Sequence, residues 1–315
     1  MRALATCAIA SLFLMVDSLA PATPLGVEEL LSRHAPMDAD GLGGFDFRRF
    51  GRSSMGQRLL QRVPSVGADL DVPPALQEAL PVETLHAAAS AFWVRPDSPP
   101  EGWILLSGTF DSEAALSALM RWLGPEGQER IQEGIRCVGH RDEEQIVAAL
   151  APDLLYLGSP RRLEGVLDVR RNREASAWSG RRRRLVRSGV GPGAIFWGVA
   201  TLSKGVSLGA GASAEESALF RTVREAGFSL RLGTEGALRV WLVQESQESG
   251  AQLLGWLQKT RQILAMLAGT LDESGGLGEA LTAISLKDAG DVVTLELRAS
   301  SRQLEDWVAA EPGAP

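Results

Sequence analysis

Tyrosine occurs once in these 315 residues, cysteine twice and histidine three times. Lysine stands only at positions 204, 259 and 287, so nearly all the positive charge is arginine. Each scarcity closes off some chemistry. The histidines, His34, His86 and His140, are far apart, and none falls in a metal-ligand spacing such as H-x-x-x-H. No cofactor is expected. The cysteines are Cys7 and Cys137, too few for a disulfide framework. Long apolar runs are missing too. The first, residues 3–16, is about 14 residues, where a bilayer helix needs roughly 20. A later one, residues 263–271, is short and is followed by Asp272 and Glu273. No transmembrane helix is expected in the mature chain.

What is present begins with an address. Arg2, the apolar run 3–16 and the small residues Ala20-Pro21-Ala22 read as a secretory signal peptide over residues 1–22. The competing reading is a buried N-terminal helix, which Asp17 in the middle of the segment keeps open. A lipoprotein box at Leu4-Ala5-Thr6-Cys7 does not fit, because such a box follows the hydrophobic stretch. Cleavage would remove Cys7 and leave one thiol. The expected location is exported, periplasmic or extracellular.

The remainder is long enough for one large or two ordinary domains. Hydrophobic residues make up 45% and charged residues 23%, as in a globular chain rather than a disordered one. The net charge of −7 argues against a polyanion binder as a whole.

Hydrophobic periodicity divides this remainder into an N-terminal module (23–174), an Arg/Gly-rich connector (175–193), a C-terminal module (194–310) and a disordered tail (311–315). Early helices are expected at 25–33 and 53–63, with residues 39–49 irregular. Then come a hairpin (90–95 with 103–110), a helix (113–123) capped by Asp111 and stopped by Gly124-Pro125, a second hairpin (135–139 with 145–150), a short strand (154–157) and a helix (160–171). The C-terminal half repeats the order: a hairpin (228–232 with 237–243), a helix (248–271), a short helix (277–282), a hairpin (283–286 with 292–297) and a helix (301–308). The expected fold is α+β: two similar modules of antiparallel sheet with helices packed on one face, produced by internal duplication.

Short motifs accompany this pattern: Asp46-Phe47-Arg48-Arg49-Phe50, Ser107-Gly108-Thr109-Phe110-Asp111, Leu157-Gly158-Ser159 with Val166-Leu167-Asp168, and Ile195-Phe196-Trp197-Gly198. With them the chain resembles a group of exported bacterial proteins of unknown function. That resemblance implies export and a duplicated α+β fold, and it names no catalytic residue.

Each chemical motif in the chain has a plainer reading. Gly205-Val206-Ser207-Leu208-Gly209 matches a nucleophile elbow, but every histidine precedes Ser207, so the usual chain order is impossible. A Gly/Ser-rich loop is the simpler reading. Residues 209–214 approximate a dinucleotide fingerprint without the βαβ context it needs. Ser213 with Glu216 reads instead as a capping box. His140-Arg141-Asp142 spells a kinase triplet with none of its companions. Cys137 alternates with Ile135 on a strand, as a half-buried core thiol does. The acidic groups Asp142-Glu143-Glu144 and Asp272-Glu273 read as solvated turns.

One charge anomaly remains. Residues 161–187 hold ten arginines against three acids. Arg181, Arg182, Arg183, Arg184 and Arg187 form a candidate polyanion site, with a solvated surface as the plain alternative. Lipopolysaccharide, anionic lipid and cell-wall polymer fit better than nucleic acid, since no aromatics interleave the run beyond Trp178. The sequence thus favours a non-enzymatic binding or assembly module of the cell envelope, its partner an envelope protein or a polyanion. The alternative is an envelope hydrolase with a site between the two modules.

Overall fold

The computed structural model describes residues 25–62, 78–94, 101–142, 144–178, 182–183, 186, 189–202, 213–233, 235–271, 281–300 and 303. It divides into two compact units, residues 1–182 and 183–315. Among the described residues no helix is long and apolar enough to cross a membrane.

Unit 1 contains strands β1 (Gly41–Asp46), β2 (Leu85–Trp93), β3 (Glu101–Gly108), β4 (Gly127–Gln132), β5 (Ile135–His140), β6 (Ile146–Ala151) and β7 (Leu154–Gly158). They lie in the order β1-β2-β3-β7-β6-β5-β4, and every neighbouring pair is antiparallel. Its helices are α1 (Val27–His34), α2 (Phe47–Arg52), α3 (Ser54–Arg62), α4 (Ser112–Leu123) and α5 (Pro160–Arg170). Asp111 caps α4 through the backbone N–H groups of Glu113 and Ala114, and Gly124 ends it with φ 54°.

Small and large side chains alternate along the buried rows of this sheet. Trp103 lies opposite Ala91 on one side and Gly158 on the other. A Cβ on Gly158 would come within 2.6 Å of the Tyr156 hydroxyl and 2.8 Å of Trp103 Cβ. The Trp103 ring is therefore accommodated by the absence of its neighbours' side chains.

Helices sit against both faces of this sheet, which corrects the expectation of one. Gly127 faces Met120 and Leu123 of α4, and Arg136 pairs with Glu113 of the same helix. Gln132 and Trp93 belong to the opposite face, where Gln132 donates to the Pro160 carbonyl and Trp93 carries the Arg162 guanidinium, both on α5. An apolar seven-stranded sheet has two faces to keep from water.

Two further expectations fail in unit 1. Residues 39–49, read as irregular, form β1 and the start of α2. A glycine is needed at 41 because the Phe92 ring occupies the space its side chain would take, 2.0 Å from the Cβ position. Strand β4 was not anticipated at all. It is an edge strand of sequence GQERIQ, and an edge tolerates such polar residues.

Unit 2 contains β8 (Phe196–Thr201), α6 (Ala214–Arg221), β9 (Val223–Leu232), β10 (Glu235–Gln244), α7 (Gln247–Leu271), β11 (Ile284–Ala289) and β12 (Val292–Ser300). Its strands lie β11-β12-β10-β9-β8, again antiparallel throughout. Ser213 and Glu216 close the expected capping box on α6. Register assigns the two faces distinct characters. One row reads Ser285, Glu296, Arg239, Ser229, Trp197, and the adjacent row on the other face reads Ile284, Leu297, Leu238, Leu230, Phe196.

The 175–193 segment is not a bare linker. Ser176 and Ala177 bond to the Leu31 and Ala35 carbonyls of unit 1. Val186 and Val190 are buried, and Gly189 lies against the Trp241 indole of unit 2.

Both units place a strand and a hairpin ahead of a helix, after which the chain returns as a meander beside that hairpin. The meander has four strands in unit 1 and two in unit 2. The expected helices at 277–282 and 301–308 lie mostly outside the described residues, as do the Ser207 and 209–212 motifs.

Candidate functional site

A cavity of about 550 Å³ opens in unit 1 where two helix C-termini meet a hairpin turn. Helix α1 contributes Ser32, Arg33 and His34; the end of α5 contributes Val169, Arg170 and Asn172; the β6–β7 turn contributes Ala151, Asp153 and Leu154.

Each wall is fixed by a local cause. The Asp153 carbonyl accepts from Gly108 N–H at 3.1 Å, and the Pro152 carbonyl accepts from Ser112 N–H at 2.9 Å. These bonds tie the turn to the end of β3 and the start of α4. Beyond α5, Asn172 takes the left-handed conformation (φ 56°) that closes a helix, with Arg173 N–H returning to the Asp168 carbonyl at 2.8 Å. Asparagine tolerates that region better than most residues. Ser107 donates to the Leu25 carbonyl at 3.0 Å and so holds Leu25, which also lines the cavity.

The electrostatics are mixed. Arg170 donates to the Leu150 carbonyl, and Arg33 pairs with Glu29 along α1. Asp153 supplies a carboxylate. The carbonyl ends of α1 and α5 add partial negative charge. His34 is 2% exposed, and its Nδ1–H donates to the Leu30 carbonyl at 2.9 Å. Its Nε2 is buried with no hydrogen-bond partner. Burial pulls the imidazole pKa down to about 4, helped by Arg170 and Arg33 and opposed by the bond to Leu30. His34 is therefore neutral at pH 7.

The other histidines stand apart. His86 sits at the bulge between Leu85 and Ala87, with Nε2 3.4 Å from Arg48 and Nδ1 buried without a partner. Burial and Arg48 bring it to about 4 as well, against Asp153. His140 bonds through Nε2 to Glu126 at 2.9 Å and accepts at Nδ1 from Asp142 N–H at 3.2 Å. Both ring nitrogens are occupied, which suits a strand-end brace rather than a ligand. Cys137 is fully buried, and burial pushes its thiol pKa up, away from nucleophilic use.

The arginine run is described only in part. Arg181, Arg184 and Arg187 lie outside the described residues. Arg183 is exposed, whereas Arg182 is half-buried with Nη1 lacking a hydrogen-bond partner. Burial lowers its pKa against the pull of Asp40 and Asp38. Upstream, Arg162 stacks 3.7 Å above Trp93 and pairs with Glu101 at 2.7 Å and Asp38 at 3.4 Å. Arg171 pairs with Glu133 and Arg173 with Asp168.

Sequence reading missed the cavity. Its polar residues come from three distant segments, and each looks ordinary alone. The available signal was the pair of basic helix ends, Arg33-His34 and Arg170-Arg171. Among the described residues no group of histidine, cysteine or acidic side chains could hold a metal ion.

No protein-family model matches the chain, and no curated protein matches it. The solved structures that are distantly similar include two crystal forms of TP0453. Form IV aligns with a TM-score of 0.47 at 12% identity, covering 88% of this chain and 97% of that one. Form I aligns with a TM-score of 0.48 at 12% identity, covering 92% and 98%.

Proposed function

We propose that the chain is an exported, non-enzymatic binding module of the cell envelope, and that its ligand site is the cavity of unit 1. The observation that carries this reading is the convergence of polar groups of both signs on one cavity. Arg33 and Arg170 offer donors, while Asp153 and the carbonyl ends of two helices offer acceptors. Such walls suit a small solute bearing an anionic group and hydrogen-bond donors together. Export is supported by residues 1–22, and mature protein from the native host should begin near Thr23. We also infer that the units are diverged copies. The shared order of strand, hairpin, helix and returning meander supports this, with one extra hairpin inserted in unit 1.

The binding reading is tested by thermal unfolding with a panel of amino acids, short peptides and simple carboxylates. A ligand present at 100 times its Kd stabilises the folded state by about 2.7 kcal/mol, a readable shift in Tm. At least one member should raise Tm in the wild type and fail to do so in Arg170→Gln. A panel that shifts neither protein, or shifts both equally, sinks the proposal.

A further inference from the structure

The hydrogen bonding of the unit 1 cavity is unbalanced. Four of its side-chain donors already have acceptors within the chain. Arg33 pairs with Glu29, Arg170 donates to the Leu150 carbonyl, Ser32 Oγ donates to the Glu29 carbonyl at 2.9 Å, and His34 Nδ1–H donates to the Leu30 carbonyl. The acceptors are open. Helix α1 ends at His34 and α5 at Arg170. The last carbonyls of a helix have no intrahelical partner. Position 36 is proline, which has no N–H to return to the Ser32 carbonyl. Among the described residues no donor reaches the carbonyls of Ser32, Arg33, His34 or Arg170, and none reaches the Asp153 carboxylate. All five residues line the cavity.

Charge runs the same way. Asp153 contributes a full negative charge, and the two helix ends about half a charge each. Glu29 compensates Arg33, so among the lining side chains Arg170 is the guanidinium left to oppose them. An ammonium group suits such walls. It has three N–H donors, no acceptor, and a charge that strengthens each bond to a carboxylate.

We infer that the ligand of this cavity carries a primary ammonium group, held between the Asp153 carboxylate and the carbonyl ends of α1 and α5. The remaining N–H groups of Arg170 are left for the ligand's anionic group. This rests on the reading of the cavity as a ligand site. The ligand class is then amino acids and short peptides with a free N-terminus, a size that a cavity of about 550 Å³ accommodates. N-acylated forms and plain carboxylates fall outside it.

The full chain is titrated with glycine, L-alanine, L-leucine and the dipeptide Ala-Ala, with their N-acetyl forms, with acetate and succinate, and with potassium chloride, and Tm is followed. At least one free amine should raise Tm at roughly a tenth of the concentration its N-acetyl form requires. Asp153→Asn keeps the turn and removes the charge, and should weaken that amine about tenfold. Asp142→Asn, at an exposed turn residue that does not line the cavity, should leave it unchanged. Four results overturn the ammonium and leave the cavity as a ligand site: N-acetyl forms that bind as well, potassium chloride acting as strongly as the amines, equal binding by Asp153→Asn, or a response to the carboxylates alone. Silence from every probe overturns the reading of the cavity and this inference together.

Discussion

His34 makes the stability of unit 1 depend on pH in a definite direction. Its imidazole pKa falls from 6.5 to about 4 on folding, chiefly through burial. Between those values the unfolded chain binds a proton that the folded chain does not. Stability from this group is complete above the unfolded value of 6.5 and is lost as pH falls toward 4. A displacement of this size corresponds to about 3 kcal/mol at 1.36 kcal/mol per pKa unit. That is a large share of the 5–15 kcal/mol typical of a domain. The perturbation is His34→Leu, which keeps an apolar volume and removes the titrating ring. It also removes an Nε2 that is buried without a partner. Wild type and variant are unfolded in urea at half-unit steps from pH 7.5 to 4.5, and the difference between their stabilities is plotted. Carboxylates shared by both proteins cancel in that difference, as does His86. The variant should gain on the wild type by about 2 kcal/mol between pH 7 and 4.5, most of it below 6.5. A flat difference curve would show that His34 is not held neutral by the fold and would refute the reasoning.

Other outcomes follow from the arginines. Arg162 is 12% exposed and joins Trp93, Glu101 and Asp38, so Arg162→Met should cost about 2–4 kcal/mol in urea unfolding, and Arg162→Lys should not restore it. Replacing Arg181 to Arg184 with serine should reduce retention on heparin if the run binds polyanions. Equal elution would leave those side chains as ordinary surface.

What could be read from the sequence was set by range. Asp111, Gly124 and the Ser213–Glu216 box act on backbone groups two to four residues away, so the sequence contains both partners of each interaction. Helices α4 and α6 were legible for that reason. Strand β1 was not, because its glycines look like a loop, and the Phe92 ring over Gly41 is visible only in the fold. Strand β4 was hidden by the opposite cause: an edge needs little apolar content, so Gln128, Glu129 and Arg130 gave no period to detect. The cavity depended on neither composition nor period. It exists because α1 and α5 end side by side, and the positions that bring Arg33, Asp153 and Arg170 together are decided by packing of Leu30, Leu31, Leu163 and Leu167 in the core. The same logic governs the arginine run. Sequence counts charge, but whether a guanidinium faces solvent depends on acids such as Asp38 and Glu101, which stand far away in the chain. A charge cluster in one dimension becomes a surface patch only where the fold leaves it unpaired, and for Arg162, Arg171 and Arg173 the fold supplies a carboxylate to each.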